Sequence, residues 1–197
     1  TPNHKWLVRI ARQDAGHVVY LMQAGDRFRI GRSTMFHQRG DEHLRWSIQR
    51  RAGHERASVW VLKMFSTDSE AAVYEEYAAT HYGLTEWPFR PSTGNRLIGI
   101  AETDQLFALL DASDQWNRAA RCLADHGRSI ESPLWKWTGD NSIQSGSQTL
   151  VTAAANLMPE FMEVPVPTDR YAGNHWLPIQ SLPRRDFSGP VYSLDVS

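Results

Sequence analysis

The alternation of polar and apolar positions predicts a strand at the start of the chain and a β-hairpin soon after it. Residues 5–10 alternate well enough to form a strand. Residues 17–22 (HVVYLM) are rich in β-branched and aromatic side chains, and residues 27–31 (RFRIG) alternate between polar and apolar. Ala24-Gly25-Asp26 supplies turn residues between these two segments. The sequence therefore predicts a first strand followed by a hairpin.

A helix and a buried strand are predicted next. Leu44 and Ile48 lie four apart, on one face of a helix that starts near Asp41, and Gly53 is a stop signal for it. Residues 59–65 (VWVLKMF) are a continuous apolar run, which is typical of a strand buried on both faces.

The second predicted helix has the best-defined ends. Thr67 and Glu70 form a capping box, in which the threonine oxygen accepts a backbone N–H and the glutamate reaches back to the cap. The helix is predicted to run to His81 or Tyr82 and to stop at Gly83.

Irregular segments separate the remaining elements. Residues 86–91 (EWPFRP) contain two prolines too close together for regular structure. One helix is predicted from Thr103 and another from Asp114 to Gly127, and residues 139–148 are polar and hinge-like. Three strands are predicted to follow, at residues 162–166, 176–179 and 191–196.

This order predicts an α/β (α+β) fold in which a β domain is interrupted by an α/β insertion. The predicted β domain comprises residues 1–12 and 148–197. The insertion comprises a β-hairpin–α–β–α module at 13–100 and a helical subdomain at 101–138.

Charge and composition narrow the class of protein. The net charge is −1, but residues 1–60 carry eleven Lys or Arg against five Asp or Glu. Such a basic half favours a phosphate-bearing partner, although a fold whose halves neutralise each other explains it equally well.

A single cysteine, Cys122, excludes a disulfide framework and a cysteine-based zinc site, and favours a reducing cytoplasm. No apolar run reaches the roughly 20 residues of a membrane span, and no signal peptide is apparent.

Both ends of the chain resemble blocks of the Hint domain, the self-splicing domain of inteins. Thr1-x-x-His4 resembles an early block, and residues 191–196 (VYSLDV) resemble the strand near its C-terminal end, with Ser193 where many inteins have aspartate. The runs 156–167 and 176–179 resemble strands between them. The resemblance implies that His4 protonates the departing amide nitrogen, that Thr1 supports it, and that splicing needs no cofactor.

The chain lacks the intein's first Cys or Ser, its terminal His-Asn pair and the extein nucleophile that follows. We therefore expect no splicing by this chain alone, and expect complementary intein segments or exteins as partners.

The module after the first strand resembles the GIY-YIG nuclease superfamily over residues 16–95. Val18-Val19-Tyr20 stands at the first triplet and Arg29-Ile30-Gly31 at the second. Arg45 lies on the next helix, at the place of the family's arginine. Either Glu75 or Glu76, on the capped helix, stands at the place of the metal-binding glutamate.

The resemblance implies Mg²⁺-dependent cleavage of double-stranded DNA. Tyr20 with Arg29 is then expected near the attacking water, and Arg45 on a phosphate. Glu75, or Glu76 as the alternative, is expected to bind one Mg²⁺. His43 is expected to assist Arg45. The arginines expected to contact DNA are Arg27, Arg32, Arg50 and Arg51.

Structural interpretations compete with these roles. Arg45 and Glu75 are also explained as members of helix-surface ion pairs, and Tyr20 as a core residue with a satisfied hydroxyl. Val18 replaces the family's first glycine and Arg29 replaces its second tyrosine. The module is therefore expected to be either a divergent endonuclease or a relative that only binds DNA.

Three functional hypotheses follow. The first is a cytoplasmic, bacterial or phage-encoded intein segment that carries a homing endonuclease, with no membrane partner. The second is a non-catalytic insertion in a split intein that splices through His4. The third is a free-standing DNA-binding module whose end blocks are coincidental.

Overall fold

The structure, a computed structural model, divides the chain into two compact units. It describes residues 5–10, 16–35, 43–52, 56–89, 99–137, 149–159, 161–166 and 175–183. The first unit combines residues 1–11 with 149–197, and the second comprises residues 12–148. The described residues form a mixed α+β fold with two antiparallel four-stranded sheets and four α-helices.

The strands in chain order are β1 (Lys5–Ile10), β2 (His17–Ala24), β3 (Arg27–Thr34), β4 (Ala57–Phe65), β5 (Trp135–Trp137), β6 (Thr149–Ala153), β7 (Met162–Val166) and β8 (His175–Pro178). The helices are α1 (His43–Ala52), α2 (Asp68–Tyr82), α3 (Ile100–Leu109) and α4 (Ala112–Asp125).

The sheet of the first unit joins segments from both ends of the sequence. Its strand order is β6-β1-β7-β8, so β1 pairs with two strands that follow it by more than a hundred residues. Lys5 lies opposite Ala153 and Arg9 opposite Glu163. The guanidinium Nε of Arg9 donates to the Glu163 carboxylate at 2.7 Å. This cross-strand pair links β1 to β7 by side chains as well as by the ladder.

Most strand predictions for this unit are confirmed. β1 and β7 have the predicted bounds, and β8 starts and ends one residue earlier than predicted. The sequence did not predict β6. The predicted strand at 191–196 and the hinge at 139–148 lie outside the described residues, as do Thr1 and His4.

The second unit is built on the predicted hairpin. β2 and β3 pair without interruption from His17 opposite Thr34 to Ala24 opposite Arg27. Gly25 has a φ of 61°, a conformation that a two-residue hairpin turn requires and that glycine adopts without strain.

Two further strands extend this sheet to the order β3-β2-β4-β5. β4 pairs with β2, and the register shifts between Val19 and Tyr20, which marks a β-bulge. β4 begins two residues before the predicted Val59, and β5 was not predicted. Because β2 is paired on both sides, β3 lies at the edge of the described sheet.

Local signals fix both ends of α2. The Thr67 hydroxyl accepts the Glu70 N–H at 3.2 Å, and the Glu70 carboxylate accepts the Thr67 N–H at 3.1 Å. At the other end Gly83 has a φ of 64°. The N–H groups of Gly83 and Leu84 donate hydrogen bonds to carbonyls in the last turn of the helix. The predicted capping box and glycine stop are both confirmed.

α3 and α4 begin earlier than predicted because residues outside the predicted bounds cap them. The Glu102 carboxylate accepts the Gly99 N–H at 2.9 Å, which starts α3 at Ile100 instead of Thr103. The Asp111 carboxylate accepts the Ser113 N–H at 2.9 Å, which starts α4 at Ala112 instead of Asp114.

One hydrophobic core joins the sheet to α2 and α4. The residues at 101–138, expected to form a helical subdomain, belong to this same unit. Cys122 is buried in this core, and burial raises the pKa of its thiol to about 12. The buried members are Val19, Leu21, Phe28, Ile30, Trp60, Leu62, Ala71, Ala78, Tyr82, Leu84, Ala119, Cys122 and Leu123.

In the part of the chain that the structure describes, no helix combines the length and the apolar character needed to cross a bilayer.

Thr67→Ala should remove the cap of α2 and lower the free energy of unfolding by about 1 kcal/mol, since one backbone donor loses its partner. Urea denaturation followed by circular dichroism measures the change. Thr80→Ala, at an exposed position in the last turn of the same helix, is the control and should change stability by less than about 0.5 kcal/mol. Equal losses in the two variants would show that the capping box does not stabilise the helix.

Candidate functional site

A buried tyrosine–arginine pair lies on β2 and β3, the two strands of the hairpin in the second unit. Tyr20 is wholly buried on β2, and Arg29 on β3 is only 1% exposed. Arg29 Nη1 donates to the Tyr20 hydroxyl at 3.1 Å. The two residues expected beside the attacking water are therefore brought together, but inside the protein.

Two other nitrogens of Arg29 donate to the segment that follows α2. Its Nη2 donates to the carbonyl of Glu86 at 2.7 Å, and its Nε donates to the carbonyl of Trp87 at 3.1 Å. The Ile30 N–H donates to the Thr85 carbonyl at 2.9 Å. Residues 85–87 are thereby held along the edge of β3 that is not paired with β2.

Gly31 makes room for the buried pair. It lies opposite Tyr20 in the β2–β3 ladder. A Cβ atom at Gly31 would lie 2.5 Å from Arg29 Nη1 and 2.8 Å from both the hydroxyl oxygen and Cζ of Tyr20. No side chain fits there unless the tyrosine or the arginine moves, which gives the glycine of the second triplet a steric role.

Arg32 connects β3 to the capped helix. Its Nε lies 2.9 Å from Glu75 Oε2, and its Nη1 pairs with Asp68. His17 Nδ1 lies 3.6 Å from the same Asp68 carboxylate. Burial opposes the charged form of Arg32, but the hydrogen bond and charge of Asp68 and the charge of Glu75 outweigh it and raise the pKa of Arg32.

Glu75 is the more enclosed of the two predicted metal-binding carboxylates. Its side chain is 15% exposed, whereas Glu76 is an exposed residue. Burial raises the pKa of Glu75, while the charges of Arg32 and Arg29 act in the opposite direction. A carboxylate held in this way is a good position for a cation, because the low-dielectric surroundings strengthen the attraction.

Glu86 is a second carboxylate at this edge that the sequence did not single out. Burial raises its pKa, and the charges of Glu75 and Glu76 raise it further, whereas Arg29 and Arg32 lower it. Its Oε1 atom is buried and has no hydrogen-bond partner among the described residues. The sequence places Glu86 eleven residues from Glu75 in a proline-containing loop, so only the pairing of that loop with β3 reveals the proximity.

We call this group of side chains the edge site. Its members lie on the β2–β3 hairpin, on α2 and in the segment beside β3, and comprise Tyr20, Arg29, Gly31, Arg32, Glu75 and Glu86. In the described ranges no three His, Cys, Asp or Glu side chains converge on one point. The edge site therefore offers two carboxylates and partly exposed cationic nitrogens, a set that suits a cation together with a phosphate.

α1 places further basic residues next to β3. The Ser33 hydroxyl donates to that of Ser47 at 3.0 Å, which fixes the helix to the strand. Arg51 is half-buried and its charge acts on Glu75, and Arg50 is exposed. His43 and Arg45 belong to α1, but their side chains lie outside the described part of the structure.

Arg27, expected to contact DNA, is bound to residues of α3. Its Nη1 donates to the Asp104 carboxylate at 2.8 Å, and its guanidinium lies 5.1 Å from the Phe107 ring centre. The structure thus pairs Tyr20 with Arg29 and Arg32 with Glu75, whereas Arg27 is held by Asp104.

Comparison of the chain with protein-family models, with curated proteins and with solved structures gives no match. The functional argument therefore depends on the geometry of the edge site.

Gly31→Ala should destabilise the second unit by about 1–3 kcal/mol, because the new methyl group overpacks a contact fixed by hydrogen bonds. Chemical denaturation measures the change. Gly16→Ala is the matched control, since its Cβ would meet the flexible end of Met64 at 2.9 Å and should be accommodated at lower cost. If Gly31→Ala costs no more than the control, Gly31 is not needed for the packing of Tyr20 and Arg29.

Proposed function

We propose that the second unit is a divergent, Mg²⁺-dependent DNA endonuclease of the GIY-YIG kind, carried within an intein segment. One observation supports this most strongly. The second triplet and the helix glutamate, more than forty residues apart in sequence, come close together: Arg32, which follows the triplet, binds Glu75 at 2.9 Å, and the charge of Arg29 acts on the same carboxylate. The element order β2-β3-α1-β4-α2 agrees with the predicted hairpin–helix–strand–helix module.

The accessible cations bind the DNA backbone in this proposal. Arg32 is 36% exposed, Arg50 is exposed, and Arg51 is half-buried near Glu75. Guanidinium groups bind phosphate oxygens through paired hydrogen bonds, and Arg45 on the same helix is assigned the scissile phosphate by the family resemblance. The charge that develops during hydrolysis is stabilised by these groups.

Tyr20 and Arg29 have a supporting role in this arrangement. Both are buried, and the guanidinium nitrogens of Arg29 donate to protein acceptors. They hold Gly31 and the 85–87 segment in place and do not meet the water directly in this conformation. This differs from the role that the family resemblance gave them.

Glu75 would hold the metal. The carboxylate oxygens of Glu75 and the unpartnered oxygen of Glu86 are ligands of the type Mg²⁺ prefers, so the residues present fit the ion. When bound, Mg²⁺ supplies Lewis-acid stabilisation of the phosphate oxygens. When the metal binds Glu75, the ion pair between Arg32 and Glu75 would loosen or persist beside the metal. In either case the Arg32 guanidinium would remain close enough to bind the phosphate.

Glu75→Gln should lower DNA cleavage by at least about a hundred-fold, the scale of losing one electrostatic stabiliser of the transition state. The assay is nicking of a plasmid that carries the uninterrupted host gene, in Mg²⁺ and in EDTA. Glu76→Gln changes the neighbouring, exposed carboxylate and should retain most of the activity. The metal assignment is wrong if Glu76→Gln loses cleavage and Glu75→Gln retains it. The nuclease proposal is wrong if the wild-type protein neither cuts nor binds DNA.

A second function, protein splicing through His4, has a separate observation in its favour. β1 pairs with β6 and β7, so one sheet is assembled from the two segments that flank the second unit. This arrangement suits a splicing domain that carries an insertion, and in it the second unit need not be catalytic.

Supplying the missing intein segments in trans should restore ligation of the flanking sequences. His4→Ala should then slow ligation by about 10²–10⁴-fold, the usual contribution of a general acid. His175→Ala, at an exposed histidine of β8 in the same unit, is the control and should splice normally. Gel electrophoresis of the products gives the rates, and ligation at an equal rate in both variants would remove His4 from the mechanism.

A further inference from the structure

A pocket of about 340 Å³ opens between the turn of the β2–β3 hairpin, the end of α3 and the start of α4. We call it the turn pocket. Its lining includes Asp26 and Arg27 from the hairpin, Phe107 from α3, Asp111 at the cap of α4 and Gln115 on α4, all within the second unit. A pocket of this volume suits a small organic molecule and is much larger than a single metal ion needs.

The entrance of the turn pocket is acidic. Of the described residues that line it, one is basic, Arg27, and three are exposed aspartates: Asp26, Asp104 and Asp111. Hydroxyl and backbone hydrogen bonds from the first turn of α4 lower the pKa of Asp111 and keep its carboxylate ionised. None of the described residues in the last turn of α3 is basic, so the negative end of that helix adds to the acidity. The entrance therefore favours a cationic ligand.

The inner wall of the turn pocket contains an amide oxygen without a partner. Gln115 is only 4% exposed, and its Oε1 atom is buried with no hydrogen-bond partner among the described residues. Its Nε2 atom lies 3.5 Å from the Gly83 carbonyl, at the outer limit of a hydrogen bond, and Arg118 Nη1 already donates to that carbonyl at 2.8 Å.

The Gly83 carbonyl also fixes the orientation of this amide. A carbonyl oxygen only accepts, so the nitrogen of Gln115 faces it and Oε1 lies on the other side of the amide group. A buried acceptor that lacks a donor costs free energy. Because Gln115 lines the turn pocket, a ligand that donates an N–H there would satisfy it.

We infer that the turn pocket binds an aliphatic amine with two or more ammonium groups, of which spermidine is an example. The ammonium groups donate to the aspartates at the entrance and to Gln115 Oε1. The methylene chain between them packs against Phe107 and Leu110, which also line the pocket. An extended cation suits this lining better than a metal ion does, because in the described ranges no three His, Cys, Asp or Glu side chains converge on one point.

Isothermal titration calorimetry of the full chain with spermidine, at constant ionic strength, tests the inference. Asp26→Asn and Asp104→Asn should each weaken binding by about three- to five-fold, because each removes one partly exposed carboxylate from the pocket. Glu131→Gln removes the same charge at an exposed position of the same unit and should bind as the wild type does. Hexanediol, an uncharged aliphatic probe, should not bind.

Gln115→Met separates a ligand role from a structural one, because it keeps the length of the side chain and removes the amide oxygen. It should weaken spermidine binding by about ten-fold, the scale of a hydrogen bond to a charged group. Without amine it should melt at the wild-type temperature or above, since an unsatisfied buried acceptor has been removed. With saturating spermidine, the wild type should gain more stability than this variant.

Three results would overturn the inference. The first is a wild-type protein that neither binds spermidine nor is stabilised by it. The second is equal weakening in Glu131→Gln and Asp26→Asn, which would show attraction to the overall charge and not to the pocket. The third is a lower melting temperature of Gln115→Met with unchanged affinity, which would make Gln115 structural. If Gln115→Met does not fold, the aspartate variants and Glu131→Gln decide the question.

Discussion

A guanidinium group that is removed from water must donate its N–H groups to protein acceptors, and Arg29 meets this constraint by joining three segments of the second unit. One donor binds Tyr20 on the neighbouring strand, and two bind carbonyls of the segment after α2. The hairpin edge, the bulge at Tyr20 and the course of the 85–87 segment are therefore coupled. Glu75 and Glu86 lie beside this junction, so the geometry of the edge site depends on one buried cation.

The position of the cation explains why acidic groups accumulate there. The hydrogen bonds of Arg29 go to a hydroxyl and two carbonyls, which are neutral and do not cancel its charge. The positive charge of Arg29 therefore attracts the carboxylates of Glu75 and Glu86. The charges of Arg29 and Arg32 both stabilise the ionised form of Glu75 against burial. Breaking this network by removing one partner should cost more than any single ion pair is worth, because the remaining charges would be buried without compensation.

The parts of the fold that local chemistry specifies were predictable from the sequence. Thr67, Glu70 and Gly83 lie within or next to α2 and determine its ends without help from distant residues. The short strands β5 and β6 have no such signal, since a segment such as Trp135–Trp137 becomes a strand only by pairing with β4. In the site, the resemblance to a nuclease family indicated Tyr20, Arg29 and Glu75 as a group. Burial of the first two, the contact of Arg32 with Glu75 and the presence of Glu86 depend on tertiary packing, which no spacing in the sequence encodes.

The pairing of β1 with β6 has a consequence for how this chain could have been assembled. Arg9 lies opposite Thr149, so the chain leaves the first unit and returns to it on adjacent antiparallel strands. A tight turn of two residues is enough to connect such strands, and in this sequence residues 12–148 stand between them. The entropic cost of bringing the two ends of a loop together increases only with the logarithm of the loop length. A whole folded module can therefore be gained or lost at this hairpin tip with little effect on the sheet that carries it.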